Sequence, residues 1–381
     1  METGADRAER PFALLDRVAW PIAALVWLYE AYHSADHLGM NTRAVWQGPH
    51  DLLRGIALYP DVSTWHSTTT HAYYVFPPAS AILLSPLGLG PKDVTGSLFI
   101  LLSVAVFMYG LYRLARKTSY PGLIMLAAGL SLPVTSELSA GDADLIVAGL
   151  IALALDSKGR TRALYAFLAF GIKPTAWYVF IALGWPGLIG GIGALLLNVV
   201  GFAIIRDPGR FFHHVIPWLT HGQQGVDAIR ASIPDIATAY GASHSPVADV
   251  TQALLVVSLV AIAIRLRGSA ERERAAPLLI ALGLILSSYC FVQYLVYLVA
   301  VLPLLRPRRQ DLVLLGVSLY LIGVRQVWSS SGLPHDVNVL ADYKVLLGLL
   351  LLVPVAARPL LPDSLPLREL ILPRRRQPQA T

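Results

Sequence analysis

The sequence predicts an all-α polytopic membrane protein, and three observations carry that expectation. Hydrophobic residues make up 55% of the 381-residue chain and charged residues only 14%, against about 45–50% and 25% in soluble domains. The apolar residues fall in runs of helical length, and the basic residues sit in short clusters between those runs. One soluble core cannot hide that much apolar surface, so lipid must be part of the solvent. The formal net charge of +6 would suit a nucleic-acid binder. Its clustering argues instead for the loops that orient a membrane protein, with no nucleic acid involved.

The elements follow in chain order. Arg7, Arg10 and Arg17 lead into a run at 14–32 that lacks a small-residue cleavage site, so it is expected to stay as an anchor. A first long extracytoplasmic loop, 33–92, is rich in His, Trp, Tyr and Thr. Its partial helical patterning from Ala44 to Leu58 predicts a helix lying in the interface plane. Further segments are read at 94–112, 121–136, 143–156, 162–172, 175–185 and 187–205. A second long loop, 206–246, carries Phe211, Phe212, His213, His214 and Trp218 for interfacial anchoring. The remaining segments are 247–265, 277–289, 290–305, 312–328 and 341–358. Those around 162–185 and 277–305 are too short to cross alone and are expected to form half-membrane hairpins or bent helices. The expectation is about 10–12 transmembrane or re-entrant helices. Residues 1–358 form one transmembrane domain, and the Pro- and Arg-rich 359–381 a disordered basic cytoplasmic tail. The single cysteine, Cys290, rules out an intramolecular disulfide, and no internal repeat is evident.

With the N-terminus in the cytoplasm and segments alternating, Arg113, Arg116 and Lys117 fall on the cytoplasmic side. So do Lys158, Arg160 and Arg162, the cluster Arg265 to Arg274, Arg306 to Arg309, and the basic tail. All ten histidines fall on the other side. That distribution predicts both termini inside and the polar chemistry outside the cell membrane.

Ionisable groups at membrane depth are costly and mark function. Four places stand out: Asp36 just after the first span; Glu137, Asp142 and Asp144 in one short turn; Lys173 inside an apolar stretch; and Arg325 near a span end. A carboxylate at the outer interface can take a proton from an attacking hydroxyl, while a lysine and an arginine can hold a phosphate as it leaves. The blander readings are a polar loop residue for Asp36, snorkelling for Lys173 and Arg325, and a solvated acidic turn. No complete metal-ligand set, P-loop, nucleophile elbow or dinucleotide fingerprint is found. No cofactor is therefore expected, although a divalent cation stays open at the acidic turn.

These residues bring out a resemblance. The run Leu52-Leu53-Arg54-Gly55-Ile56-Ala57-Leu58-Tyr59-Pro60 after Asp36, and Tyr74-Val75-Phe76-Pro77-Pro78-Ala79, are its first two motifs. Gly141-Asp142-Ala143-Asp144-Leu145, Gly171-Ile172-Lys173-Pro174-Thr175, and Ser287 to Tyr294 running on to Leu302-Pro303-Leu304 complete it. Their order and spacing over 30–305 resemble the polyprenyl-phosphate-sugar-dependent glycosyltransferases of family 87, enzymes of the C-type glycosyltransferase fold from actinobacterial envelopes. The resemblance implies a polyprenyl-phosphate-linked sugar donor, a glycolipid or glycan acceptor, and inverting transfer at the extracytoplasmic face. It implies Asp36 as catalytic carboxylate and Lys173, with Arg325, as contacts of the donor phosphate. His37, Asp51, Tyr74, Asp142, Asp144, Gln293 and Tyr294 are the candidate lining residues, with Asp51 the rival carboxylate. Gln293 stands where relatives carry histidine, and a glutamine cannot shuttle a proton. Mannose is the default sugar and arabinofuranose the alternative. Two other classes are a transporter of lipid-linked substrates, which would place ionisable pairs through the midplane, and a non-catalytic glycolipid-binding relative.

Overall fold

The computed structural model describes residues 4–59, 74–217, 230–239, 244–269, 272–287, 290–323 and 335–360. Among them the regular secondary structure is all helical, apart from one isolated bridge between Arg230 and Phe291. The helices are α1 (Gly4–Asp36), α2 (Met40–Leu53), α3 (Pro78–Leu83), α4 (Lys92–Ala115), α5 (Pro121–Gly129) and α6 (Leu132–Ala140). They continue as α7 (Asp144–Asp156), α8 (Gly159–Ile172), α9 (Phe180–Ile204), α10 (Ile233–Ala239) and α11 (His244–Arg265). Last come α12 (Ala276–Leu286), α13 (Val296–Val301), α14 (Leu312–Gly323) and α15 (His335–Ala356).

Five helical stretches are long and apolar enough to cross a membrane, or six if the pair α5–α6, bent by 49°, is one span. The protein is therefore a multi-pass membrane protein. The expected ten to twelve elements included re-entrant and bent helices, and among the described residues α7, α8, α12, α13 and α14 are such short helices, packed within or against the bundle. α1, α9 and α11 instead leave large apolar side chains such as Leu25, Leu28, Leu195, Val199, Val257 and Ile264 exposed for lipid to cover.

Side-chain pairings fix the directions of the helices. Trp20 meets Tyr112, Trp27 meets Phe107, and Ser97 donates to the Ala35 carbonyl, so α1 and α4 are antiparallel. Asp16 accepts from the Leu123 backbone and Trp27 donates to the Met125 carbonyl, so α5 returns alongside α1. α7 then runs with α4: Ile100 and Ser103 lie beside Leu145, Gly110 beside Gly149, and Arg113 and Lys117 at Asp156. Close approach is what the glycines supply, since a Cβ on Gly110 would meet the Gly149 carbonyl oxygen at 2.4 Å.

The expected separation of 175–185 from 187–205 has a structural cause. Pairings of Ala163 with Gly190, Phe167 with Gly193 and Gly171 with Ala194 ascend together. α8 and the later part of α9 therefore run in the same direction, and the segment between them must come back. It does so through a 3-10 turn, Pro174–Val179, and Arg162 reaches the Leu183 carbonyl at the bottom. Gly184, at φ +65° and ψ −155°, makes the reversal. An L-residue rarely adopts that conformation, so glycine is required there. The apolar stretch 174–204 is thus long enough for one span but is divided into a short descending piece and a long ascending one.

With these directions, Asp36, the acidic turn 141–144 and Lys173 share one end of the bundle. Arg113, Lys117 and Arg162 share the other, where they pair with Asp156 and Glu273. Arg113, Lys117 and Arg162, from two of the basic clusters, thus lie together. α7 and α8 have 13 and 14 residues, which at 1.5 Å per residue is roughly 20 Å against about 30 Å of hydrocarbon. α7 is buried on every side from Asp144 to Leu155. Its Asp156 end is held by Arg113 and Lys117, and Asp144 at the other end is fully buried, so that end is recessed within the bundle.

Candidate functional site

The floor of this recess is built by three breaks between helices. Gly141, at φ +66°, ends α6 in a left-handed turn, and Asp142 and Asp144 follow at once. Lys173, extended at φ −153° and ψ 111°, ends α8 because Pro174 cannot continue it. The stretch Val292–Leu295 forms a 3-10 turn ahead of α13. The three meet in one cluster. The Lys173 ammonium donates to Asp142 Oδ2 at 2.9 Å and to Asp144 Oδ2 at 2.7 Å. It lies 5.3 Å from the Phe76 ring centroid and 4.9 Å from that of Tyr294. Tyr297 donates its hydroxyl to the other oxygen of Asp144. Asp144 is fully buried and Lys173 is 9% exposed, so each charge depends on its partners.

Glu137 adds a third carboxyl. One oxygen accepts from the Leu145 backbone at 3.2 Å, while Oε2 has no partner among the described residues. Glu137 and Asp142 line a small cleft with Ile100, Ser103, Leu138, Gly141 and Leu145. Among the described residues no group of three or more His, Cys, Asp or Glu side chains is placed to hold a metal ion.

The loop after α1 is pinned onto this floor. Gly39 packs so closely on the turn that a Cβ would meet the Ala140 carbonyl oxygen at 2.4 Å. Thr42 donates its hydroxyl to the Gly141 carbonyl at 3.0 Å. Asp36 lies three residues before Gly39, which puts it within roughly 10 Å of that contact. Asp36 is 57% exposed and pairs with His37 at 3.3 Å. It therefore stands at the exposed edge of this end of the bundle, and its ion pair is with His37, not with Lys173.

The other expected residues are placed as follows. α2 spans 40–53 instead of the expected 44–58, since Gly55, at φ +65°, ends it. Asp51 is buried on α2 and its Oδ1 is 3.2 Å from His50 Nδ1, so it is not joined to the lysine. Tyr74 is buried against Gly48 of α2 and stacks near Tyr59 and Phe76, and Phe76 in turn covers Lys173. Gln293 is half-buried and its amide makes no hydrogen bond among the described residues, whereas its neighbour Tyr294 covers the ammonium. Arg325 and Trp218 lie outside the described residues, as do 361–381 of the tail.

Three contributors escaped the sequence reading. Tyr297 is a hydroxyl in an otherwise apolar run, which calls for a buried partner. Thr42 gives no comparable signal. Arg230 donates its backbone N–H to Asp342 Oδ1 at 2.7 Å, and Ala231 donates to the Cys290 carbonyl, which ties the second loop to the Val292–Leu295 turn. The charge of Asp342 inside an apolar run is a signal of the same kind as Lys173.

Bundle and cluster together define a multi-pass membrane protein with a charged site recessed at one end. The profile of glycosyltransferase family 87 matches residues 74–288, more than half of the sequence and most of the floor. The chain belongs to that family. It is also similar to an alpha-(1->3)-arabinofuranosyltransferase of Mycolicibacterium smegmatis, 26% identical over 231 residues, covering 54% of this chain and 52% of the relative. The chain thus spans about half the length of that relative.

Proposed function

We propose that the protein transfers a sugar from a polyprenyl-phosphate donor to a hydroxyl of an envelope glycan or glycolipid, with inversion, at the extracytoplasmic face. The observation that carries this reading is the pinning of the segment just after Asp36, through Gly39 and Thr42, onto the acidic turn whose carboxylates hold Lys173. In this reading Asp36 is the proton acceptor and Lys173 the buried cation at the same end of the bundle, the two roles that direct displacement of a phosphate leaving group requires. In that reaction the acceptor hydroxyl gives up its proton at Asp36 and its oxygen attacks the anomeric carbon. The bond from that carbon to the phosphate oxygen breaks, and its electron pair leaves with the lipid phosphate.

Lys173 has three N–H donors. Two are given to Asp142 and Asp144, and the third is the one a phosphate oxygen takes. Two carboxylates so near also repel a second anion, so Lys173 is a short-range anchor in this reading, with Arg325 as a further contact. The name of the mycobacterial relative favours arabinofuranose over mannose as the sugar to test first. The ionisable groups of the floor gather at one end of the bundle, which favours an enzyme over a transporter with access from both sides. The polar end faces outward and both termini face the cytoplasm, a reading supported by the segregation of Arg113, Lys117 and Arg162.

The test is transfer by purified protein in detergent from radiolabelled polyprenyl-phosphate arabinofuranose and mannose, with envelope glycolipid extract as acceptor. Transfer from one donor that is lost in Asp36→Ala supports the reading and identifies the sugar. Donor binding without transfer by the wild type overturns it in favour of a binding protein.

A further inference from the structure

The end of α1 holds more than an isolated carboxylate. His37 Nδ1 lies 3.3 Å from the His33 carbonyl oxygen and 3.3 Å from Asp36 Oδ2. Both neighbours are acceptors, so Nδ1 is the nitrogen that carries the hydrogen in the neutral ring. Nε2 is left with its lone pair, on a side chain 67% exposed. The ring is also oriented by stacking: His37 packs on His33 at 4.7 Å between centroids, and His33 stacks on Tyr29 at 5.8 Å with planes 2° apart. The His37 backbone N–H bonds the same His33 carbonyl at 2.9 Å.

We infer that His37 and Asp36 act as a dyad in which His37 Nε2 accepts the proton of the acceptor hydroxyl and Asp36 fixes the tautomer and balances the imidazolium. The inference rests on the proposed transfer reaction and changes which atom performs the proton step. The acceptor O–H bond breaks toward Nε2, and the oxygen forms its bond to the anomeric carbon as the lipid phosphate departs. The positive charge formed on the ring sits 3.3 Å from the Asp36 carboxylate, the arrangement that supports histidine bases elsewhere. A catalytic histidine at this position also answers Gln293, whose amide can take no proton.

Among the described residues the charged surroundings are few. On its own element His37 faces Asp36 and His33. α4 presents Ser97 to the Ala35 carbonyl, and Lys92 and Asp93 in its first turn pair with each other at 3.5 Å. From α6 the packed residues are Ser139 and Ala140, against Gly39. The dyad is thus the local device for handling a proton, while the floor carboxyls belong to the lysine and to Glu137.

The experiment measures transfer by the purified full chain, from whichever donor the wild type uses, as a function of pH for wild type, His37→Ala, His37→Gln and Asp36→Asn. Added imidazole is tested on His37→Ala, and a thermal melt accompanies every variant. The expected results are a loss of roughly 10²–10⁴-fold in kcat for both His37 variants with unchanged melting. The acid limb of the wild-type profile disappears in His37→Ala, and imidazole recovers part of its rate. His37→Ala or His37→Gln with wild-type rate and an unaltered acid limb overturns the dyad and leaves Asp36 as the base. So does a rate loss that imidazole does not recover with the acid limb intact, which marks His37 as structural. A wild type that transfers no sugar overturns the proposed function itself, and with it the dyad.

Discussion

Lys173 owes its place to two carboxylates and a pair of ring faces, and that dependence runs both ways. Replacing it by methionine keeps the volume and leaves Asp142 and Asp144 uncompensated, which is expected to destabilise the protein by about 3–5 kcal/mol; the loss is read from the unfolding midpoint in detergent. Tyr297→Phe removes one hydrogen bond to a buried carboxylate and should weaken the fold by about 1.5–3 kcal/mol, measured by the same melt. An unchanged midpoint in either variant would mean that solvent reaches the cluster. Lys173, Asp142 and Asp144 were legible in the sequence because charges in apolar runs stand out. Their mutual pairing was not, since 29 or more positions separate the lysine from its partners and no local pattern reports such a contact. Asp51 was a rival to Asp36 on sequence grounds, and the structure buries the first and exposes the second.

Turns, more than helices, determine this site, and glycine conformation is what makes them. Gly141 and Gly159 both have positive φ, but a Cβ on Gly159 meets nothing, while one on Gly141 would lie 2.0 Å from the Thr42 hydroxyl oxygen. Gly159→Ala should therefore cost only the backbone strain, about 1–3 kcal/mol. Gly141→Ala should add the loss of the Thr42 bond and displace the acidic turn. Comparing melts and transfer rates tests this, and equal behaviour of the two variants would count against a loop pinned to the acidic turn. The apolar segments themselves were read nearly correctly: 94–112 lies within α4, 143–156 matches α7, and 247–265 lies within α11. What hydropathy could not report was direction. The reversal at Gly184 rests on one residue's φ, and the shortness of α7 and α8 shows only when their neighbours are seen to bury them.

At the scale of the whole molecule, charge is divided between the ends of the bundle. Asp311 is buried beneath Arg358, which bonds it at 2.9 and 3.0 Å. Burial alone raises such a carboxyl, but the Arg358 guanidinium and the Arg308 N–H outweigh it and hold Asp311 below its usual range. A carboxyl lowered in the folded state stabilises above its unfolded value of about 3.9 and loses that contribution as pH falls through the folded one. Asp311→Asn should thus melt below the wild type at neutral pH, and the two curves should converge on acidification below about pH 4. Orientation has its own check. In a Cys290→Ala background, a membrane-impermeant thiol reagent should label Gln47→Cys from outside intact cells and spare Arg116→Cys; the reverse pattern would invert the topology. The recessed floor has a consequence for the host membrane. Under the proposed reaction the donor headgroup enters the bundle to reach the buried Lys173 while its isoprenoid tail stays in the leaflet, so turnover is expected to depend on bilayer thickness. Vesicles of short-chain phospholipid should bring the floor nearer the surface, and vesicles of long-chain phospholipid should lengthen the descent each donor has to make.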